Sequence, residues 1–321
     1  MSSQVTQSKV KAFAVNNTML FFAVILFAAC MIGVPRFATG GNLMNILIQV
    51  SINALIACGM TFVILSDGID LSVGSVAAIA GVAGASLIKQ MPDAGIAACI
   101  AVILVTAVVV GTICGSINGF CIAKLNVPPF IATLAMMNAA RGLAYVFTDA
   151  KPVFGLPDSF GWVGLRSIGV IPVSIVLMVI VIGLSYLVLS KTCFGRYIYA
   201  VGSNKEVAKL TGINVTMTRF SVYVISGILA ALAGLVLASK LQNGQATAAT
   251  GYELNAIAAV AMGGTSMSGG RGHILGTVLG VLIIGVMNNL LILLGADSFL
   301  TDAFKGAIVI AAVLLQRKQQ Q

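Results

Sequence analysis

Residues 53–81 read NALIACGMTFVILSDGIDLSVGSVAAIAG, and this stretch decides the fold class. An apolar run dense in small residues is interrupted by SDGIDLSVGS, Ser66 to Ser75, and then resumes. Asp67 and Asp70 are two of only nine acids in the chain. Acids beside an apolar span are costly to hold in lipid, so they face protein, water or a membrane surface. A break in a membrane helix is tolerated only where protein or a cavity covers the freed backbone. The stretch therefore predicts a polytopic transport protein.

Composition agrees. Apolar residues make up 59% of the 321 and charged residues 8%, with a mean hydropathy of +1.06, whereas soluble domains carry roughly 25% charged residues. The net charge of +9 arises from a scarcity of acids rather than from a dense basic face, which argues against nucleic-acid binding. Six cysteines stand singly in or beside apolar runs without paired spacing, as small buried hydrophobes do; neither a disulfide framework nor a zinc site is expected.

Runs of about 20 apolar residues recur along the chain, each a candidate span. We place ten, near 18–34, 43–65, 71–88, 95–123, 129–148, 170–189, 217–239, 250–267, 274–294 and 302–316. The fourth is long enough to tilt; the eighth is interrupted by Glu253 and Asn255, and the tenth is short and carries Lys305. Lys9 and Lys11 before an apolar run that reaches Cys30 imitate a cleavable leader, but the run continues to Val34, so an uncleaved first span is expected. With the N-terminus inside, short inner loops and tails collect eleven Lys and Arg and outer loops five. That asymmetry favours cytoplasmic termini at both ends. The chain reads as one all-α membrane domain, 1–321, with a cytoplasmic tail at 1–17 and a cytoplasmic loop at 190–216.

Gly111, Gly115 and Gly119 recur every four residues, as do Gly276 and Gly280, and Gly227 with Ala231. Such spacing lets helix backbones approach closely. Segments 53–81 and 256–282 share a form, a polar Gly-rich break between small-residue spans, and are a candidate internal repeat of the kind that marks a translocation path.

The longest inner loop runs from Lys191 to Arg219. Within it SNKEVAKL has a helix-start pattern: Ser203 or Asn204 can cap, Glu206 falls in the first turn and Gly212 follows the last. Two readings stand, positive-inside topology alone or a docking element for a cytoplasmic partner. MSGGR, Met267 to Arg271, imitates an ATPase signature, but no G-x-x-x-x-G-K-[ST] string occurs, and a Gly-rich inner turn is the plainer reading. The single histidine, His273, has no partner for a metal site, and no catalytic constellation is visible.

Four motifs stand in matching order: GIDLSVGS (68–75), FGRYIYAVGSNKEVAKLTGIN (194–214), GYELNAIAAVAMGGTSMSGGRG (251–272) and MNNLLILLG (287–295). Together they resemble the membrane permeases of ribose-, xylose-, arabinose- and galactose-type ABC importers, from about Asn42 to the C-terminus, with the ribose type nearest. The resemblance implies a homodimer of permeases in the bacterial inner membrane, a cytoplasmic ABC ATPase subunit that holds ATP and Mg, and a periplasmic sugar-binding protein. No cofactor is expected on this chain. The resemblance makes the loop at 190–216 the ATPase-coupling element, with Arg196, Ser203, Asn204, Glu206, Ala208 and Gly212 as its candidate residues. A rigid element that contacts a nucleotide-driven subunit can shift with it.

Sugar passage needs hydroxyl-binding groups without strong traps. Among the polar side chains within spans, Asn53, Asn138, Arg141 and Asn289 are the path candidates. Asp67 and Asp70 fall at the inner end of span two; they read as helix caps or as an inner gate. The outer loop 149–169, with Trp162, Phe154 and Phe160, reads equally as an interfacial belt or a contact for the binding protein. A stand-alone ion-coupled carrier for a small polar solute is the competing reading. The acids at span ends favour it less, because proton coupling wants an acid deep in a span.

Overall fold

A computed structural model describes residues 18–295, with Ala303 and Gly306 beyond them. The expected tail at 1–17, the tenth span at 302–316 and Lys305 lie outside the described residues. Within them the protein is all-α apart from one short ribbon. The helices are α1 (Thr18–Gly33), α2 (Gly40–Leu65), α3 (Val73–Lys89), α4 (Ile96–Ala123), α5 (Pro129–Thr148), α6 (Trp162–Leu165), α7 (Val173–Lys191), α8 (Cys193–Ser203), α9 (Lys205–Leu210), α10 (Val215–Leu241), α11 (Tyr252–Met262) and α12 (Ile274–Leu293). Two-residue antiparallel strands, β1 (Ser167–Ile168) and β2 (Ile171–Pro172), lead into α7.

Six helices, α2, α4, α5, α7, α10 and α12, are long and apolar enough to cross a membrane. Their burial differs sharply. Of its most apolar stretch, α2 buries 83%, whereas α4 buries 28%. A helix apolar all round belongs in the core, and α2 is that core. Around it pack α10, α12, α7 and α11. The exposed large side chains of α4, among them Leu104, Val105, Val108 and Ile113, are uniformly apolar, as a lipid-facing surface requires.

The spaced glycines perform as their pattern predicts. Gly111, Gly115 and Gly119 of α4 lie against the α10 backbone at Gly227, Tyr223 and Phe220, the most extensive helix contact in the fold. Gly276 and Gly280 bring α12 equally close to α11 at Gly263 and Ala259. Without a hydrophobic drive between helices in lipid, this close approach holds the bundle.

The eighth expected span is corrected. Residues 250–267 hold only α11, eleven residues long, which at 1.5 Å per residue reaches about 16 Å. The hydrocarbon core is about 30 Å thick, so α11 crosses half of it. Its N-terminus begins beside Gly74, near the start of α3. The preceding residues, 242–251, are not helical. They run along α3, from Gly244 against Ala85 to Ala249 against Gly74. The two breaks, 66–72 and 263–273, meet at one end of the bundle: the Gly270 amide donates to the Leu65 carbonyl at 3.0 Å. Nearby, the Thr61 and Thr277 hydroxyls share a hydrogen bond of 2.8 Å.

Candidate functional site

The break after α2 starts as a helix stop. The Gly68 amide donates to the Val63 carbonyl at 3.1 Å, and the Asp67 amide to that of Ile64 at 3.0 Å. This paired closure demands a left-handed residue, and Asp67 supplies it with φ +60°. The chain then turns back into the bundle. Asp70 lies level with Ser226 of α10, about 16 Å from the start of that helix. Asp70 and Asp67, expected together at the inner end of span two, are therefore separated in depth. Asp67 stays at the helix end, half-exposed, 2.6 Å from the Lys205 ammonium. Asp70 is buried. Its carboxylate accepts from the Ser72 amide at 3.0 Å, the Ser72 hydroxyl at 2.6 Å and the Ser226 hydroxyl at 2.9 Å. Asn118 of α4 donates to the Ser72 hydroxyl at 2.9 Å. One carboxylate thus ties the first turn of α3 to α10 and, through Ser72, to α4.

The loop at 190–216 holds two helices where one was expected. In α8 the Thr192 hydroxyl caps the first turn by accepting from the Gly195 amide at 3.1 Å. Asn204 then caps α9, its Oδ1 accepting from the Glu206 and Val207 amides at 3.0 Å each. Ser203 closes α8 instead of capping α9. Gly212 ends α9 in the left-handed region, with its amide on the Lys209 carbonyl and that of Ile213 on Ala208. Ala208 is buried, while Glu206 and Arg196 are exposed. Outward from α9 stand Val207 and Leu210, the latter 87% exposed.

This loop is joined to both breaks. A Cβ at Gly202 would overlap the Leu65 carbonyl, and one at Gly270 would strike Ser203. The Tyr199 hydroxyl donates to the Gly272 carbonyl at 2.9 Å. Burial raises its phenol above the ordinary value, so it stays protonated as a donor. With the Lys205–Asp67 pair, these contacts fasten α8 and α9 to the ends of α2 and the turn before α12.

The four path candidates do not converge. Asn289 is paired with Asn42: each amide donates to the other's oxygen, at 3.0 and 2.7 Å, pinning α12 to α2. That pair of hydrogen bonds places Asn289 in a contact between helices. Asn53 is buried in α2; its Nδ2 donates to the Gln49 carbonyl and its Oδ1 finds no partner. Asn138 is exposed on α5. Arg141, one turn along, directs Nη1 to the carbonyls of Ala246 and Ala248, the latter at 2.7 Å, holding the non-helical segment against α5. In the loop 149–169 Phe160 is fully buried, Trp162 half-buried and Phe154 exposed. Ser239 accepts from the Gly164 amide and donates to the Phe160 carbonyl, so this loop is packed on α10.

Sequence reasoning missed Asn42, Lys205, Ser72 and Ser226 as bonding partners, and missed the segment 242–251 altogether. Only that segment carried a local signal, its run of Gln, Asn, Gly and Thr between apolar helices. The others acquire meaning from residues far along the chain.

Comparison with known proteins fits this architecture. The family model described as branched-chain amino acid transport system / permease component matches residues 42–313. The ribose import permease protein RbsC of Escherichia coli (strain K12) is 43% identical over 97% of this chain and 96% of its own length. RbsC of Bacillus subtilis (strain 168) is 46% identical, over 94% and 91%. The L-arabinose transport system permease protein AraH of Escherichia coli (strain K12) is 40% identical, over 94% and 90%. No solved structure matches. By a family model spanning most of its length, and by relatives matched almost end to end, the chain belongs to this family of transport permeases and is a multi-pass protein of the inner membrane.

Proposed function

We propose that this chain is the membrane subunit of an ATP-driven importer that moves ribose or a closely related monosaccharide into the cell. The observation that carries the mechanism is α9, a rigid helix capped at both ends that presents Val207 and Leu210 outward while Lys205 grips Asp67. An exposed leucine beside two lysines and a glutamate suits an apolar-centred, charge-rimmed protein contact. In this reading α8 and α9 face the cytoplasm, ten crossings, the eighth made by 242–251 and α11 together, leave both termini there, and the chain forms one domain. An ATPase subunit holding ATP and Mg seats on α9, two permeases pair, and a periplasmic binding protein delivers the sugar. Near-full-length identity to ribose import permeases supports ribose as the cargo.

Movement of α9 then acts directly on the breaks. Gly202 meets the Leu65 carbonyl with no side chain between them, and Gly270 lies against the Ser203 hydroxyl and backbone, so a displacement there is transmitted instead of absorbed. The test is reconstitution of the permease with its ATPase in liposomes, followed by uptake from a panel of monosaccharides delivered by the binding protein. Ribose is expected to accumulate only with ATP and binding protein. Uptake without either would overturn the importer reading, and preference for another sugar would overturn the ribose assignment.

A further inference from the structure

The non-helical segment 242–251 needs an explanation of its own. It runs beside α3 within the depth of the bundle, where backbone without helical bonds is tolerated only if protein or a water-filled cavity covers it. Protein covers one side: Ala246 and Ala249 are buried, and Arg141 occupies the carbonyls of Ala246 and Ala248. The other side is open. Thr247, between those two carbonyls, is exposed, and so is Thr250, whose hydroxyl donates to the Thr247 carbonyl at 2.8 Å. On α5, Asn138 is exposed one turn before Arg141, and Tyr145 follows one turn after, 39% exposed. Residues three and four apart share a helix face. Arg141 lies about 18 Å along α5 from its start, near mid-membrane.

The contrast with α4 is informative. Its exposed large side chains are all apolar, as lipid demands. The face formed by Asn138, Arg141, Tyr145, Thr247 and Thr250 instead offers amide and hydroxyl groups at the depth where polar groups are most costly in lipid. From this juxtaposition we infer that Thr247 and Thr250, together with Asn138, line a water-filled passage and provide hydroxyl-recognising contacts for a neutral polyhydroxylated solute. Arg141 is a positioning residue there: it turns its Nη1 donors inward onto backbone carbonyls and holds Thr247 at the open side. Neutral, single hydrogen-bond groups suit weak successive contacts, which a transporter must make and break.

This inference rests on the importer reading for its cargo, and the experiment separates the two. Thr247→Cys, Thr250→Cys and, as the lipid-face control, Val108→Cys are each reacted with a membrane-impermeant maleimide in proteoliposomes, against the wild-type background. Thr247→Cys and Thr250→Cys are expected to label at least tenfold faster than Val108→Cys. Labelling no faster than the control would overturn the passage. In parallel, Thr247→Val with Thr250→Val is expected to lower ribose uptake at least fivefold while ATPase activity persists; unchanged uptake would overturn the contact role. Absence of ATP-dependent ribose uptake in the wild type would sink the importer reading, and labelling would still decide the passage.

Discussion

Replacing Asp70 by alanine is the sharpest probe of the break. Its carboxylate accepts three hydrogen bonds in a site sealed from solvent. The bond from the Ser72 amide acts as a helix cap, for which loss costs about 1 kcal/mol. The bond from Ser226 joins two helices within the membrane, where such bonds are worth about 0.6 and at most about 1.7 kcal/mol. The Ser72 hydroxyl, orphaned of its acceptor, adds about 1 kcal/mol more. Asp70→Ala should therefore destabilise the fold by about 3 kcal/mol, on the order of a hundredfold in the folding equilibrium. Asp70→Asn keeps one oxygen for the Ser72 amide and should lose about half as much. Reversible unfolding of the purified permease in mixed micelles measures both. A double-mutant cycle with Ser226→Ala should return a coupling of at least about 0.5 kcal/mol. If Asp70→Ala unfolds within about 0.5 kcal/mol of the wild type, the carboxylate does not hold α3 to α10 and the reasoning fails.

The joint between α2 and the loop at 190–216 gives a complementary expectation. Because both partners of Lys205–Asp67 are more than one-third exposed, Asp67→Asn should change stability by less than about 1 kcal/mol; sugar moved per ATP hydrolysed should nevertheless fall, and an unchanged ratio would remove the pair from transmission. Gly202→Val should uncouple ATP hydrolysis from uptake, because its side chain would overlap the Leu65 carbonyl; a tightly coupled, well-folded variant would refute this. Asn42→Leu and Asn289→Leu should each cost about 1 kcal/mol in micelle unfolding, and the double variant little more than either, since the two amides bond mainly to each other. Gly115→Leu should force α4 from α10 and cost about 1–3 kcal/mol; retention of the wild-type unfolding midpoint would count against close backbone packing there.

What the chain reveals locally, and what it hides, divides along physical lines. Hydropathy over 20 residues reports burial or lipid, so α2, α4, α5, α7, α10 and α12 were legible from their runs alone. Spaced glycines report close approach, and Gly111, Gly115 and Gly119 met a helix backbone accordingly. Capping is likewise local, which is why the helix around SNKEVAKL and its glycine stop could be read. Its cap, however, is Asn204, and Ser203 belongs to the helix before. The length of α11 was hidden because Gly and Thr, which flank it, are common inside membrane helices and do not by themselves mark where the helix stops. Partnership was hidden more deeply. Nothing near Asn289 announces Asn42, and nothing near Asp67 announces Lys205, because only the assembled bundle brings them together.

The Asn42–Asn289 pair also bears on how the protein is made. Its members are 247 residues apart, so at synthesis rates of about 5–20 residues per second the amide of α2 waits about 10–50 s for its partner. The most deeply buried helix is thus among the first to enter the bilayer and among the last to be completed. Throughout that interval the Asn42 amide keeps the Phe37 carbonyl as an acceptor but lacks Asn289. Nascent chains arrested before α12 should for this reason be preferred clients of membrane chaperones and proteases, and the early burial of α2 becomes a checkpoint on completion of the whole chain.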